Sequence, residues 1–386
     1  MPNLLQPSQD LSVDFVTSVP LDLLNAMYFT FLAGTLEGVG DWPARTRERM
    51  DPGLRAELDL LFTYPRRQPG IMGALNDALF VHYHQITDID GLLRFVREMP
   101  ADGAGDPAVP GIQGLAVYAL RWSGQERFIL AEGVAPRDAL MAKLEGASDE
   151  DLTCIITPEV GGGAAAVLAL FDDPEQVRAR MLSLIRRFYD EHYRPDEQRR
   201  LACMRRSCDA HNNELLTDAA ELARFLSSRS DSCLTELPDT YTRFVFVPSV
   251  DVGPYNSCAD VAPVHGLHYA LEPRFASAED ESDESTQRLA LVYRALSDEQ
   301  RLRILRLLRD GELYAQEIVE RTGIHQSVVS RHLTFMKAVG LLHVRRQNNM
   351  KFYSLNAAMG EELRGAVDAL LPSPPRRSRS SAARSR

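Results

Sequence analysis

A segment near the C-terminal end of the chain is the strongest constraint on its fold. Residues 324–340 read IHQSVVSRHLTFMKAVG. Val329, Leu333 and Met336 recur at helical spacing, which predicts a helix over about residues 326–339 with these side chains on one face. The residues on or beside the other face are Gln326, Ser327, Val328, Ser330, Arg331 and Thr334. We therefore expect a helix that packs by one face and presents the other.

Shorter helices are predicted before this segment. A first helix is indicated by Leu289, Val292, Tyr293 and Leu296 at helical spacing. Ser297 is expected to cap a second helix, which ends at Gly311. A third helix is expected over about residues 314–321, and Gly323 provides the turn into the segment at 324–340. Two short helices joined through a glycine turn predict a helix-turn-helix, and an ordinary helical hairpin with a solvated face is the alternative.

Two strand-like segments follow, at residues 342–347 and 350–355, with Asn348 and Asn349 between them. Asparagine tolerates the left-handed backbone of a two-residue hairpin turn. Pairing across that turn places Val344 opposite Tyr353, Leu342 opposite Leu355, and Arg346 opposite Lys351. Opposed like charges are unfavourable unless an anion lies between them, so this hairpin is expected to rest on phosphates. A last helix, over about residues 359–371, is expected to pack in the core, to form a dimer seam with the first helix, or both.

The charge of the chain is distributed unevenly. Residues 286–386 contain 18 Lys and Arg against 9 Asp and Glu, a net charge of +9, whereas residues 1–285 carry −20. A basic unit attached to an acidic body is typical of a nucleic-acid binder. The acidic, polar stretch at 276–285, ASAEDESDES, is expected to be a linker. The arginine-rich stretch at 372–386 is expected to be a disordered basic tail.

Residues 289–356 resemble the ArsR-type winged helix-turn-helix of bacterial transcriptional regulators. The matching motifs are RALSDEQRLRILRLL, QSVVSRHL in the recognition helix, VGLL before the wing and KFYSL at its end. The resemblance implies a homodimer that binds a palindromic operator in double-stranded DNA, usually as a repressor. It also implies that the polar face listed above meets bases or phosphates, and that Arg345, Arg346 and Lys351 hold the DNA backbone at the wing. His325 stands where this family usually has a small hydroxyl residue as helix cap, so a weaker cap is expected.

Metal sensing is not predicted. Residues 286–371 contain no cysteine, although thiol-type sensors of this family place cysteines on the helix before the recognition helix. The histidine pairs His82/His84, expected to share a strand face, and His265/His268, expected on one turn, supply two ligands each. A closed metal site usually needs three or four. We therefore predict no metal and no cofactor.

The first 275 residues predict a mainly helical body with small β elements. Helical patterns lie at 20–33, 53–63, 91–99, 138–144, 174–208 and 218–227, and strand patterns at 13–16, 241–248 and 267–272. The body is similar to an uncharacterised domain that precedes winged helices in some regulators of this type. Val160–Gly163 lacks the Lys-Ser/Thr that follows a phosphate-binding loop, and no catalytic motif is present, so no enzyme is predicted.

The fold class expected is therefore mainly α, with an α+β N-terminal body at 1–275 and a winged helix-turn-helix at 286–371. The five cysteines are sparse and odd in number, which indicates a reducing cytoplasm. No membrane span or signal peptide is expected. The function predicted is a DNA-binding transcriptional regulator whose body dimerises and senses an unknown ligand or partner. An enzyme-like body fused to a winged helix, and a winged helix that contacts protein, stay open as alternatives.

Overall fold

The computed structural model describes residues 12–62, 70–101, 111–112, 114–115, 173–215, 241–261, 263–272, 275, 284–347 and 350–370. The chain divides into two compact units, Met1–Glu279 and Asp280–Arg386. Helices predominate in both, and each unit contains a small sheet, so the predicted fold class is confirmed. The patterns at 138–144, 160–163 and 218–227, and the basic tail, lie outside these residues.

The first unit, called the body below, combines helices with a four-stranded sheet. Its elements are β1 (Ser12–Phe15), α1 (Val19–Phe31), α2 (Asp41–Arg49), α3 (Pro52–Phe62), α4 (Ile71–His82), α5 (Ile89–Glu98), α6 (Pro174–Phe188), α7 (Glu197–Leu215), β2 (Arg243–Ser249), β3 (Ser257–Val261) and β4 (Val264–Ala270). The helices predicted at 20–33, 53–63 and 91–99 are confirmed as α1, α3 and α5. The strands predicted at 13–16 and 241–248 are confirmed as β1 and β2.

Helix α1 lies at the centre of the body. It is apolar around most of its circumference, and its residues are buried on all sides, which is typical of a core helix. Ser18 caps its N-terminus, where the side-chain hydroxyl oxygen accepts a hydrogen bond from the backbone N–H of Leu21. Helices α2, α3 and α4 and strand β2 pack around it.

The sheet has the strand order β1-β2-β4-β3. Strands β1, β2 and β4 run parallel, and β3 is antiparallel to β4. Strand β2 is buried along almost its whole length, as expected for a strand covered on both faces. Gly266 in β4 allows α4 to approach closely, because a Cβ atom there would lie 2.4 Å from ring carbons of Phe80.

The helical run predicted at 174–208 is interrupted at Pro195, as the sequence indicated. Helix α6 passes into a π-helical turn at Tyr189–Tyr193 and a 3-10 turn at Arg194–Asp196 before α7 begins. Proline has no N–H, and its ring clashes with the carbonyl group four residues earlier, so a regular helix cannot continue through it. The interruption places Tyr193 and Arg200 against α1.

A buried arginine joins three segments of the body that are distant in sequence. The Arg200 side chain has no solvent exposure, and its Nη1 lies 3.3 Å from Oδ2 of Asp22, which is 1% exposed. Its Nη2 lies 3.0 Å from Asp251 Oδ2, and its Nε lies 3.2 Å from Asp196 Oδ2. The guanidinium also lies 4.2 Å from the centre of the Trp42 ring. Arg200 therefore ties α7 to α1 and to the segment after β2.

The carboxyl group of Asp22 depends on this arginine. Burial raises the pKa of Asp22, whereas the positive charge of Arg200 opposes that rise. The Tyr193 hydroxyl group donates a hydrogen bond of 2.8 Å to Oδ2 of Asp22 and acts in the same direction as Arg200. Removing Arg200 would leave a buried carboxylate without its counter-charge.

Both expectations about histidine pairs are wrong. His82 ends helix α4 and His84 lies in the turn that follows, so they share no strand. His265 and His268 lie on strand β4, where a spacing of three puts them on opposite faces. Both are buried, and burial lowers the pKa of His268 to about 3. The described residues contain no group of three or more His, Cys, Asp or Glu side chains arranged to hold a metal ion.

The second unit contains five helices and a three-stranded sheet within its described residues. They are α8 (Glu284–Leu296), α9 (Glu299–Leu307), β5 (Leu313–Tyr314), α10 (Ala315–Thr322), α11 (Gln326–Ala338), β6 (Leu342–Gln347), β7 (Met350–Leu355) and α12 (Ala357–Leu370). The sheet order is β5-β7-β6. Within the described ranges of both units, no helix has the length and apolar composition that crossing a membrane requires.

The predicted cap of the second helix in this unit is displaced by one residue. Asp298, not Ser297, caps α9, and its Oδ1 accepts a 3.0 Å hydrogen bond from the Arg301 N–H. The Ser297 hydroxyl group instead donates to the Arg294 carbonyl oxygen at the end of α8. Tyr314, predicted at the start of the next helix, lies in β5.

We predict that Arg200→Ala lowers the free energy of unfolding of the body by about 3–5 kcal/mol, because it leaves the Asp22 carboxylate buried and unpaired. Both tryptophans, Trp42 and Trp122, lie in the body, so urea unfolding followed by tryptophan fluorescence measures this change. The matched control is Arg180→Ala, which removes an ion pair between Arg180 and Glu57. The Arg180 side chain is 29% exposed and the Glu57 side chain 37%. Its loss should stay below about 1 kcal/mol. Equal losses in the two variants would contradict the role assigned to Arg200.

Candidate nucleic-acid interface

The turn between α10 and α11 is set by a glycine. Gly323 has φ +67°, in the left-handed region that favours glycine, and its N–H donates to the Val319 carbonyl oxygen. Ile324, the next residue, is buried. Helix α11 then begins at Gln326, so the helix-turn-helix predicted from the sequence is present.

The inner face of α11 is fully buried. Val329, Leu333 and Met336 are each at most 1% exposed, as their spacing predicted. Phe335 and His332 are buried beside them. The Nε2 atom of His332 lies 3.0 Å from Oε1 of Gln300 in α9. Packing in the core and the contact with Gln300 therefore account for the position of His332.

The outer face of α11 presents the predicted polar residues to solvent. Gln326, Ser327, Ser330, Arg331 and Thr334 are exposed, and Val328 is half-buried. Within the described part of the chain, the Arg331 guanidinium takes part in no hydrogen bond or ion pair. The Thr334 hydroxyl group donates to the Ser330 carbonyl oxygen at 2.8 Å. The structure therefore brings these side chains together on one surface, with Arg331 at its centre.

His325 itself occupies the cap position of α11. Its Nδ1 atom accepts a 3.3 Å hydrogen bond from the backbone N–H of Ser327 and lies 2.9 Å from the Ser327 hydroxyl oxygen. An imidazole nitrogen thus takes the place of the hydroxyl oxygen that usually caps this helix. The Ser327 side chain contributes to the cap as well as to the exposed face.

Arg301, which was not among the residues predicted from the sequence, packs against the buried face of α11. The residue is 3% exposed, its Nη2 donates a 2.8 Å hydrogen bond to the Arg294 carbonyl oxygen, and its guanidinium lies 5.1 Å from the centre of the Phe335 ring. It therefore links α8, α9 and α11. Its spacing to Ile304 and Leu308, at i+3 and i+7, places it on the apolar face of α9 and could have revealed its burial.

The wing has the register predicted from the sequence. Strands β6 and β7 are antiparallel, with Val344 opposite Tyr353, Leu342 opposite Leu355, and Arg346 opposite Lys351. The turn at Asn348–Asn349 and the side chain of Arg346 lie outside the described residues. Strand β5 adds a third strand beside β7, which the sequence did not predict. Only two residues form β5, too few to produce a visible alternation.

The three cations predicted at the wing do not form one surface. Arg345 lies opposite Phe352 in the register, and Lys351 is the neighbour of Phe352 on β7. Successive strand residues face opposite sides, so Arg345 and Lys351 lie on opposite faces of the wing. Lys351 is exposed.

Arg345 is engaged within the protein. Its Nη2 lies 2.5 Å from Oε1 of Glu312, and its Nε lies 3.2 Å from Oε2 of the same carboxylate. The guanidinium lies 4.9 Å from the centre of the Phe352 ring. The hydrogen bond from Arg345 lowers the pKa of Glu312, which keeps that carboxyl group ionised.

Known proteins match this part of the chain. Residues 298–344 match the family described as "Bacterial regulatory protein, arsR family". The transcriptional repressor SdpR of Bacillus subtilis is 34% identical over 68 residues, which are 18% of this chain and 76% of SdpR. The arsenical resistance operon repressor of Staphylococcus aureus is 33% identical over 79 residues, 20% of this chain and 76% of that protein.

An activator is also similar to this chain. The transcriptional activator HlyU of Vibrio cholerae is 29% identical over 90 residues, 23% of this chain and 81% of HlyU. The solved structure of HlyU is 26% identical in sequence over 24% of this chain and 100% of HlyU, with a TM-score of 0.20.

The sequence match and the local structure agree. The matched residues run from the cap of α9 through α10 and α11 into β6. Two repressors match over most of their own length at more than 30% identity. The chain therefore belongs to the ArsR family of bacterial regulatory proteins through its C-terminal winged helix-turn-helix.

Proposed function

We propose that this protein is a transcriptional regulator that binds double-stranded DNA with the outer face of α11. The observation that carries the proposal is the position of Arg331, which is exposed at the centre of a polar helical face and has no partner within the described residues. An arginine so placed can donate two hydrogen bonds to the O6 and N7 atoms of a guanine in the major groove. The buried inner face of the same helix holds it in a fixed direction.

The neighbouring side chains supply the other kinds of contact that base recognition uses. Gln326 can both donate to and accept from an adenine, and the Ser327 and Ser330 hydroxyl groups can bind bases or phosphates. Val328 offers methyl groups to a thymine. Since the Thr334 hydroxyl hydrogen is directed to the Ser330 carbonyl, Thr334 offers its oxygen lone pairs and its methyl group.

The wing is proposed to contact the DNA backbone with the face that carries Lys351, where Arg346 lies opposite Lys351 in the register. Arg345, the third cation expected to make this contact, lies on the other face and is paired with Glu312. Such contacts position a protein on the duplex and carry no direct sequence information. The net charge of +9 on residues 286–386 supports this sequence-independent attraction, and the arginines of the 372–386 tail are proposed to add to it.

We propose that two copies bind a palindromic operator. Tyr293 on α8 and Val367 on α12 are 37% and 40% exposed, although large apolar side chains are usually covered. They lie on the two helices that the sequence suggested as a dimer seam. A two-fold interface would place two α11 helices on successive half-sites of the DNA.

The effect on transcription is proposed to be repression, because the relatives from Bacillus subtilis and Staphylococcus aureus are named as repressors. Activation is the second candidate, since the relative from Vibrio cholerae is named as an activator.

Residues 1–275 are proposed to respond to a small molecule or a partner protein. This response would act through the 276–285 linker and change the distance between the two DNA-binding units, residues 286–371 of each copy in the dimer. The protein is proposed to act in the cytoplasm.

We predict that the full chain prefers duplex DNA from its own upstream region over a scrambled duplex, and that Arg331→Ala reduces this preference. Loss of a bidentate contact to guanine should weaken specific binding by about 1–3 kcal/mol and leave binding to the scrambled duplex nearly unchanged. Fluorescence anisotropy over a salt series measures both affinities.

The control for Arg331 is Arg309→Ala, which removes the same charge from an exposed residue in the turn after α9, outside the proposed dimer seam. It should lower both affinities slightly and keep their ratio. A wild-type protein without any preference would contradict the proposed function. Equal losses on both duplexes in Arg331→Ala would make Arg331 a phosphate contact.

We also predict that Tyr293→Glu combined with Val367→Glu converts a dimer into a monomer, because two carboxylates would be buried at the interface. Sedimentation velocity measures the mass in solution. Met350→Glu is the matched control, since Met350 is 44% exposed but lies on the wing, away from α8 and α12. A double variant that stays dimeric would exclude these helices as the dimer seam.

A further inference from the structure

Glu312 and Arg345 form an ion pair across the sheet of the wing. We propose that Glu312 is a positioning residue that acts through Arg345: it holds the guanidinium on Phe352 and cancels its charge, so that Arg345 contributes little to DNA affinity in the wild-type protein. The inference rests on the proposed function, because it concerns how strongly the wing attracts phosphates. It changes the role expected for Arg345 from the family resemblance.

The sheet brings the two side chains together. Strand β7 lies between β5 and β6, and Phe352 pairs with Tyr314 on one side and with Arg345 on the other. These three residues therefore share one face of the sheet. Glu312 lies two residues before Tyr314, and its side chain extends across β7 to Arg345. Its Oε1 lies 2.5 Å from Nη2 of Arg345, and its Oε2 lies 3.2 Å from Nε.

The carboxylate occupies the part of the guanidinium that a phosphate would use. Nη2 and Nε of Arg345 each meet one oxygen of Glu312, which is the two-pronged geometry by which arginine binds carboxylates and phosphates alike. The Phe352 ring lies against the guanidinium, with 4.9 Å from the guanidinium carbon to the ring centre. Tyr314 packs edge-on against Phe352, with ring centres 6.1 Å apart. A phosphate must displace Glu312 to gain the same two hydrogen bonds.

The pairing of Glu312 with Arg345 reduces the positive charge that the wing presents to DNA. An ionised glutamate in contact with arginine makes a nearly neutral unit, and such a unit displaces few counterions from DNA. The same carboxylate would also lie close to any phosphate that approached Arg345 and would repel it. Lys351, on the opposite face of the wing, is separated from this pair by the sheet.

Stability alone is a weak explanation for the pair. The side chains of Arg345 and Glu312 are 49% and 43% exposed, and exposed ion pairs contribute little to folding because water screens them. Backbone pairing already holds β5, β6 and β7 together. The main effect of Glu312 is therefore electrostatic: its negative charge weakens the attraction between the wing and the DNA phosphates.

The test compares four variants of the full chain on a scrambled duplex over a salt series: Glu312→Gln, Arg345→Gln, the double variant, and Glu320→Gln. Glu320→Gln is the matched control, because it removes one negative charge from an exposed residue of α10 that is bonded to Gln316. Glu312→Gln should steepen the dependence of log affinity on log salt by about 0.9, which corresponds to roughly threefold to fourfold between 50 and 200 mM salt. Arg345→Gln, the double variant and Glu320→Gln should keep the wild-type slope.

Two results would overturn the inference. One is an unchanged slope in Glu312→Gln. The other is a shallower slope in Arg345→Gln alone, which would mean that Arg345 already contacts a phosphate in the wild-type complex. The assay uses DNA of arbitrary sequence, so a wild-type protein that fails to prefer its own upstream DNA contradicts the proposed function separately. Elution from heparin provides the same comparison on a polyanion without bases, and Glu312→Gln should elute at higher salt than the wild type.

Discussion

The burial of the inner face of α11 is the constraint on which the DNA-binding surface depends. Val329, Leu333 and Met336 are almost completely removed from water, and Arg301 holds the underside of the helix through Phe335 and the end of α8. A helix fixed on one side has only one direction in which its polar residues can point. The exposure of Arg331 and its neighbours is therefore a consequence of core packing, and the polar face needs no stabilising contacts of its own.

Local patterns were sufficient to predict this part of the fold. The spacing of apolar residues located α11, the glycine at 323 marked the turn before it, and pairing across the two asparagines at 348 and 349 gave the register of the wing. These features depend on neighbours within a few residues in the sequence, which is where periodicity and turn preferences act. The shift of the α9 cap from Ser297 to Asp298 shows the limit, because both residues can cap a helix and only the local backbone decides between them.

Long-range pairings could not be predicted in this way. Arg200 and Asp22 are separated by 178 residues, and neither has a sequence pattern that points to the other. The histidines of β4 were misjudged because a strand buried on both faces lacks the alternation of apolar and polar residues that identifies a half-exposed strand. Glu312 and Arg345 illustrate the same difficulty at the candidate site. The sequence shows an acidic and a basic residue 33 positions apart, and they meet because β7 pairs with both β5, which follows Glu312, and β6, which contains Arg345.

The most direct test of the central claim is hydrogen–deuterium exchange of the full chain with and without duplex DNA from its own upstream region. The structure predicts that DNA slows exchange most in peptides that cover 324–340 and 342–355, where α11 and the wing lie. Direct contact and reduced opening of these elements would both contribute to the slower exchange. Protection concentrated in residues 12–101 of the body, with 324–355 unchanged while DNA is bound, would contradict the assignment of α11 and the wing as the DNA-binding surface.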